Sequence, residues 1–128
     1  MHTDDNALNG ITEKIIGCAY KVANTLGCGF LEKVYENALA HELRKLGFDV
    51  KPQHPIPVFY DGVQVGDYFA DLLVDGTVLV ELKAARNLDD IHSAQCINYL
   101  AATHMPIRLL INFSRKVEVK RFRGRVPE

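Results

Sequence analysis

The apolar positions Ile11, Ile15, Ile16, Ala19, Tyr20, Val22, Ala23 and Leu26 recur at the three- and four-residue spacing of one helix face. They predict a first helix, with Thr12 positioned to help cap its start. It should end at Gly27-Cys28-Gly29, because glycine takes the left-handed conformation in which helices commonly stop. The same spacing returns over residues 31–46, where Val34, Tyr35, Ala38, Leu39, Leu43 and Leu46 form an inward stripe and Gly47 ends the run.

After Gly47 the period changes. Residues 48–51 and 56–60 read as short strands, with Pro52, Pro55 and Pro57 marking bends or a sheet edge. Asp61-Gly62 is a strong hairpin signal. Residues 63–65 begin the return, and 68–74 read as a long strand. Asp75-Gly76 predicts a second turn. Residues 77–83 come next, and their Val78-Leu79-Val80 run suits a strand covered on both faces. A third helix is expected over 88–103, before Pro106, with last strands at 107–113 and 117–120. The order α-α-β-β-β-β-α-β-β describes a mixed sheet flanked by helices, in the α/β or α+β class.

Composition narrows the picture. The chain has 128 residues, 48% of them hydrophobic and 24% charged, which suits one ordered domain spanning residues 1–128. Fifteen basic and sixteen acidic residues give a net charge of −1, which taken whole disfavours a nucleic-acid partner. The distribution says otherwise. Residues 1–114 carry nine basic and fourteen acidic side chains, whereas 115–128 carry six and two, so the basic charge is gathered at one end. No run approaches the ~20 apolar residues of a membrane helix, and the acidic start does not read as a secretory signal. Three cysteines without a Cys-x-x-Cys pair fit a reducing, cytoplasmic setting, with Cys18 and Cys96 as small apolar filler on helices. His54 and His92 read as surface residues, and Tyr60 and Tyr68 as strand packing.

The chemically informative residues are Asp71 and the Glu81-Leu82-Lys83 tripeptide. Each acid sits in an otherwise apolar strand, and burying an ionised carboxylate costs several kcal/mol without compensation. Glu81 and Lys83, two apart, share a strand face. Two carboxylates holding a divalent cation, with the ammonium beside them, would satisfy all three. Oxygen donors suit hard ions such as Mg²⁺ or Mn²⁺. The competing account is a buried salt bridge from Lys83 to Glu81 or Asp71. Parity discriminates between them: a two-residue loop at Asp75-Gly76 would set Asp71 opposite Val80, so a shared metal requires a three-residue loop or a bulge.

Beyond these residues, Gly29-Phe-Leu-Glu32-Lys-Val-Tyr35 resembles the motif of the GxxExxY protein family. Asp71 followed by Glu81-x-Lys83 resembles the signature of the PD-(D/E)XK nuclease superfamily, with Ala70 where the proline of that name would stand. Gln95-Cys-Ile-Asn-Tyr99 resembles the Gln-x-x-x-Tyr motif found after that signature in recombination helicase-nuclease and lambda-exonuclease type domains. The resemblance spans roughly residues 10–122 and implies a restriction-endonuclease-like core. It further implies that Asp71 and Glu81 coordinate Mg²⁺, that Lys83 orients the attacking water and stabilises phosphorane-like charge, and that Glu32 is the helix acid near the metal. Gln95 and Tyr99 would reach a phosphate or the metal-bound water. Glu32 also reads simply as a solvated carboxylate favoured at a helix start, and Gln95 and Tyr99 as an amphipathic core edge.

No serine or cysteine stands in a nucleophile motif, so no covalent intermediate is suggested. The segment with Arg115, Lys116, Lys120, Arg121 and Arg123, interleaved with Val117, Val119 and Phe122, suits a phosphate backbone, and Phe122 a base. It also suits a charged edge strand. Arg86 and Lys83 would add positive charge at the cleft. The expectation is a Mg²⁺-dependent nuclease acting on DNA rather than RNA, short of target-recognition elements and therefore dependent on substrate structure, a homodimer or a recruiting protein. The alternatives are a non-catalytic nucleic-acid-binding or assembly module retaining the fold, and a protein in which the acids form only a structural ion pair.

Overall fold

A computed structural model describes residues 5–88, 94, 95, 98, 99, 102, 103 and 105–123. Two helices, α1 (Asp5–Leu26) and α2 (Glu32–Lys45), lead into strands β1 (Val50–Tyr60), β2 (Val63–Val74), β3 (Val78–Lys83), β4 (Ile107–Phe113) and β5 (Val117–Arg123). They form one five-stranded sheet in the order β1-β2-β3-β4-β5. The β3–β4 pair is parallel and the other pairs are antiparallel, so the sheet is mixed as expected.

Helix α1 begins earlier than its apolar stripe suggests. Thr12 lies inside it, and its hydroxyl donates to the Leu8 carbonyl at 2.7 Å instead of capping a start. Such back-bonding satisfies a buried hydroxyl within a helix. Tyr20, Val34 and Leu46, placed inward by spacing, are exposed, because the helix pair buries a narrower face. At the end of α2, the Gly47 and Phe48 N–H groups donate to the Arg44 and Leu43 carbonyls, with Gly47 left-handed at φ 90°. This arrangement uses up the orphan carbonyls of the last turn.

Residues 50–60 form one strand where two were expected, so three strands, not four, precede the third helical segment. The strand lies at the sheet edge, where proline is tolerated because outward N–H groups need no partner. Tyr60 sits at its hairpin tip, exposed rather than packed. Residues 94, 95, 98 and 99 are helical, in keeping with the expected third helix. Its positions 89–93, 96, 97, 100 and 101, including His92 and Cys96, lie outside the described residues, as does Arg125.

Adjacent strand residues point to opposite sides of the sheet, and this divides the core into two clusters. Leu72, Val74, Val80, Leu82, Ile107 and Leu109 pack with α1 and α2 residues such as Ile15, Ala19, Leu39 and Leu43. Ile56, Ala70, Leu73 and Leu79 form a smaller cluster with Tyr68 and Met105. Tyr35 links the first cluster to the turn between the helices. Its hydroxyl donates to the Gly27 carbonyl at 2.6 Å and accepts from the Phe30 N–H at 3.3 Å, while its ring stacks on Phe113 at 4.5 Å.

Candidate active site

The turn after β2 sets the register of the two acidic strands. Val74 pairs with Val78, leaving a three-residue loop, 75–77, in which Asp75 and Gly76 both have positive φ. Leu73 then pairs with Leu79 and Leu72 with Val80. The paired register ends there, and Asp71 and Glu81 are the next residue of each strand beyond it. Beyond Leu72 the two strands are joined by bonds between side chain and backbone. The Asp71 N–H donates to Glu81 Oε1 at 3.1 Å, and the Leu82 N–H donates to Asp71 Oδ2 at 2.7 Å.

Glu81 is buried, and three groups among the described residues hold it. Besides the Asp71 N–H, the Tyr68 hydroxyl donates to its Oε2, and Arg108 lies 3.5 Å from its Oε1. Arg108 is fully buried on β4, its guanidinium 5.2 Å from the centre of the Tyr68 ring. Its nitrogens have no hydrogen-bond partner among the described residues. The Tyr68 ring in turn stacks on Tyr99 at 3.7 Å. The ion pair of Glu81 among the described residues is therefore made by Arg108, and not by the Lys83 of the salt-bridge expectation.

Asp71 is half-buried, and its carboxyl is pushed up to about 6. Desolvation is the largest cause, followed by the Glu81 charge; the Leu82 N–H opposes both, and Glu36 and Glu32 add repulsion. Glu36 has no counterpart among the residues expected from sequence. It is buried on α2, its carboxylate accepting from Lys33 at 2.6 Å and from the Gln53 amide at 3.0 Å. Glu32, one turn earlier, is exposed.

Gln53 occupies the β1 position between the Pro52–Leu72 and His54–Ala70 pairs, and so faces Asp71. Its φ of 53° is left-handed, which is costly for a residue with a side chain. Side-chain alternation changes hand there: Leu72 packs with the helices, whereas Ala70, two residues away, packs in the opposite cluster. The kink brings Tyr68 to the same side as Glu81.

The remaining sequence-derived residues are spread around this pair. Lys83, two residues beyond Glu81 on the same strand face, is half-buried and pairs in register with Asn112. Gln95 is exposed in a separate hollow with Gly66, Asp67 and Tyr99. Arg115 and Lys116 occupy the β4–β5 turn. Lys120 pairs with Leu110, whereas Arg121 bonds Asn9 of α1 at 2.7 Å, so the basic residues of β5 do not form one surface. Arg123, the last residue of β5, is exposed like Arg121.

Among the described residues, no group of three or more His, Cys, Asp or Glu side chains is disposed to hold a metal. Asp71 and Glu81 are a pair of neighbouring carboxylates, and with Lys83 on the same strand as Glu81 they offer hard oxygen donors of the kind that suits a small divalent cation. No helix among the described residues is long and apolar enough to cross a membrane. A family model of the PD-(D/E)XK nuclease superfamily matches residues 9–122. The match is at superfamily level, and the narrower likeness to the GxxExxY family rests on the motif from Gly29 to Tyr35. Comparison with curated proteins and with solved structures yields no match.

Proposed function

The chain belongs to the PD-(D/E)XK nuclease superfamily, and from that premise we propose that it hydrolyses phosphodiester bonds of DNA at Asp71, Glu81 and Lys83, with Mg²⁺ or Mn²⁺. Superfamily membership implies nuclease-type function and a nucleic-acid substrate, and such nucleases typically use divalent metals. The observation that carries the proposal is the reciprocal bonding of Asp71 and Glu81 across β2 and β3, with the Asp71 carboxyl pushed up to about 6. Repulsion of this kind is what a bound cation relieves.

Asp71 and Glu81 would hold the metal, and Glu32 and Glu36 add negative potential from α2. A divalent cation so held lowers the pKa of bound water and offsets charge on the phosphodiester oxygens. Tyr68 and Arg108 fix the orientation of Glu81. Lys83, a compact ammonium with three donors, steadies a non-bridging phosphate oxygen or the attacking water. Water adds to phosphorus, the bond to the leaving sugar oxygen breaks, and that oxygen is protonated from solvent. Gln95 and Tyr99 would lie along the substrate, with Tyr99 also supporting Tyr68. Arg115, Lys116, Lys120, Arg121 and Arg123 would contribute positive potential. A quenched fluorescent DNA oligonucleotide tests the reading. Cleavage with Mg²⁺ that Glu81→Gln abolishes supports it; equal signal from both proteins overturns it.

A further inference from the structure

A hollow of about 890 Å³ opens at the carboxyl ends of the parallel strands β3 and β4. One wall is the 84–87 segment that follows Lys83, a second is the β4–β5 turn, and a third is the α1–α2 turn at Cys28 and Gly29. Ligands of sheets with parallel strands gather at such ends, where the backbone leaves the sheet and side chains converge.

Among the described residues, three cations line it: Arg86, Arg115 and Lys116. The lining anion among those residues, Glu118, accepts from the Asn112 amide at 3.0 Å. Asn112 is fully buried and makes its other two bonds to one residue, accepting from the Ala85 N–H and donating to the Ala85 carbonyl, each at 2.9 Å. A buried amide that makes three hydrogen bonds fixes its partners in one arrangement. It ties the wall bearing Arg86 to the strand whose turn bears Arg115 and Lys116. The aromatic of the described lining, Phe113, is buried and stacked on Tyr35, and offers no platform for a base.

We infer that this hollow is a binding subsite for the phosphodiester backbone of a nucleic-acid strand, recognised through its phosphates and not its bases. The inference rests on the nuclease reading for the identity of the polyanion, and it adds where the strand lies. The hollow lies next to Lys83 along the chain, and its three lining cations supply the positive charge that a run of phosphates requires. Recognition of this kind is independent of sequence and strongly dependent on salt.

Cys28, an exposed free thiol in the wall, reports occupancy directly. The full chain in EDTA is alkylated with iodoacetamide, with and without a saturating single-stranded oligonucleotide, and modification is followed at each cysteine by peptide mass spectrometry. The expected result is at least tenfold slower alkylation of Cys28 with the natural oligonucleotide and no slowing with an uncharged methylphosphonate of the same sequence. Arg86→Ala/Arg115→Ala/Lys116→Ala should weaken binding at least tenfold and make the log Kd against log salt slope shallower by about 2, at roughly 0.7 per phosphate contact on a single strand. Unchanged Cys28 reactivity at saturation, or equal protection by the methylphosphonate, overturns the inference. Protection without Mg²⁺-dependent cleavage leaves the subsite standing and removes the nuclease reading; cleavage without protection does the reverse.

Discussion

Asp71 and Glu81 are tied across the β2–β3 junction by reciprocal bonds to each other's strand, Asp71 N–H to Glu81 Oε1 at 3.1 Å and Leu82 N–H to Asp71 Oδ2 at 2.7 Å. Each carboxylate is thereby oriented, but neither backbone donor removes the repulsion between them. The pair is organised at a cost to the folded state.

That cost has a defined pH dependence. The Asp71 carboxyl is raised from 3.8 to about 6, so between those values the folded protein binds more protons than the unfolded chain. Its contribution to stability is least unfavourable below about pH 4 and worsens as pH rises through 6. Asp71→Asn, which still offers an oxygen to the Leu82 N–H, should stabilise the protein at pH 7 by about 1–2 kcal/mol after allowance for solvent screening. The gain should vanish near pH 4. Urea unfolding of both proteins at pH 4 and pH 7 measures it, and a gain that is the same at both values would mean that Asp71 does not titrate abnormally.

A divalent cation should act in the opposite direction. At ten times its Kd, Mg²⁺ or Mn²⁺ bound only to the folded chain adds about 1.4 kcal/mol, enough to raise Tm by several degrees. Differential scanning fluorimetry should show this rise in the native protein and not in Asp71→Asn or Glu81→Gln. An equal rise in all three would place the ion elsewhere.

The Arg108–Glu81 contact should reveal itself as coupling. Arg108→Met removes a buried cation whose carboxylate partner remains, and should cost about 1–3 kcal/mol at pH 7. In a Glu81→Gln background, where the charge is gone, the same change should cost less than half as much. Equal costs in the two backgrounds would mean that the two side chains do not interact.

Gln53 separates backbone strain from hydrogen bonding. Both Gln53→Ala and Gln53→Gly remove the amide that Glu36 accepts from, but only glycine takes a φ of 53° without penalty. The alanine variant should be less stable than the glycine variant by about 1 kcal/mol. Equal chemical-denaturation midpoints would contradict a left-handed Gln53.

The mixed sheet, both helices and both Asp-Gly turns are legible in the sequence because periodicity and turn chemistry are local. The loop at Asp75-Gly76 has three residues, one of the lengths the sequence allows, but the relation of Asp71 to Glu81 also depends on the change of alternation between Leu72 and Ala70, which no local signal announces. Arg108 and Glu36 were hidden for a different reason. Arg108 is one cation in an apolar strand, and its relation to Glu81 depends on a parallel pairing formed across a long connection. Glu36 sits one residue from Tyr35 on an amphipathic helix, where a carboxylate ordinarily marks the wet face. Buried there, it accepts from Gln53, an edge-strand residue whose backbone breaks the strand pattern. Thr12 shows the local counterpart: a threonine ahead of an apolar run reads as a cap, but here the helix extends past it and the hydroxyl bonds backwards.

If Asp71, Glu81 and Lys83 form a metal-dependent site for phosphodiester hydrolysis, cleavage must need both the ion and the lysine. The decisive assay incubates the native protein with linear, circular and single-stranded DNA and with RNA, in Mg²⁺, Mn²⁺ or EDTA, beside folded Lys83→Ala. At least one DNA substrate should be cut with Mg²⁺ or Mn²⁺, and none in EDTA. Lys83→Ala should lose at least about a hundredfold in rate, on the order expected for removing a charge-stabilising group. No metal-dependent product from any substrate, or undiminished cleavage by Lys83→Ala, would refute the proposed site.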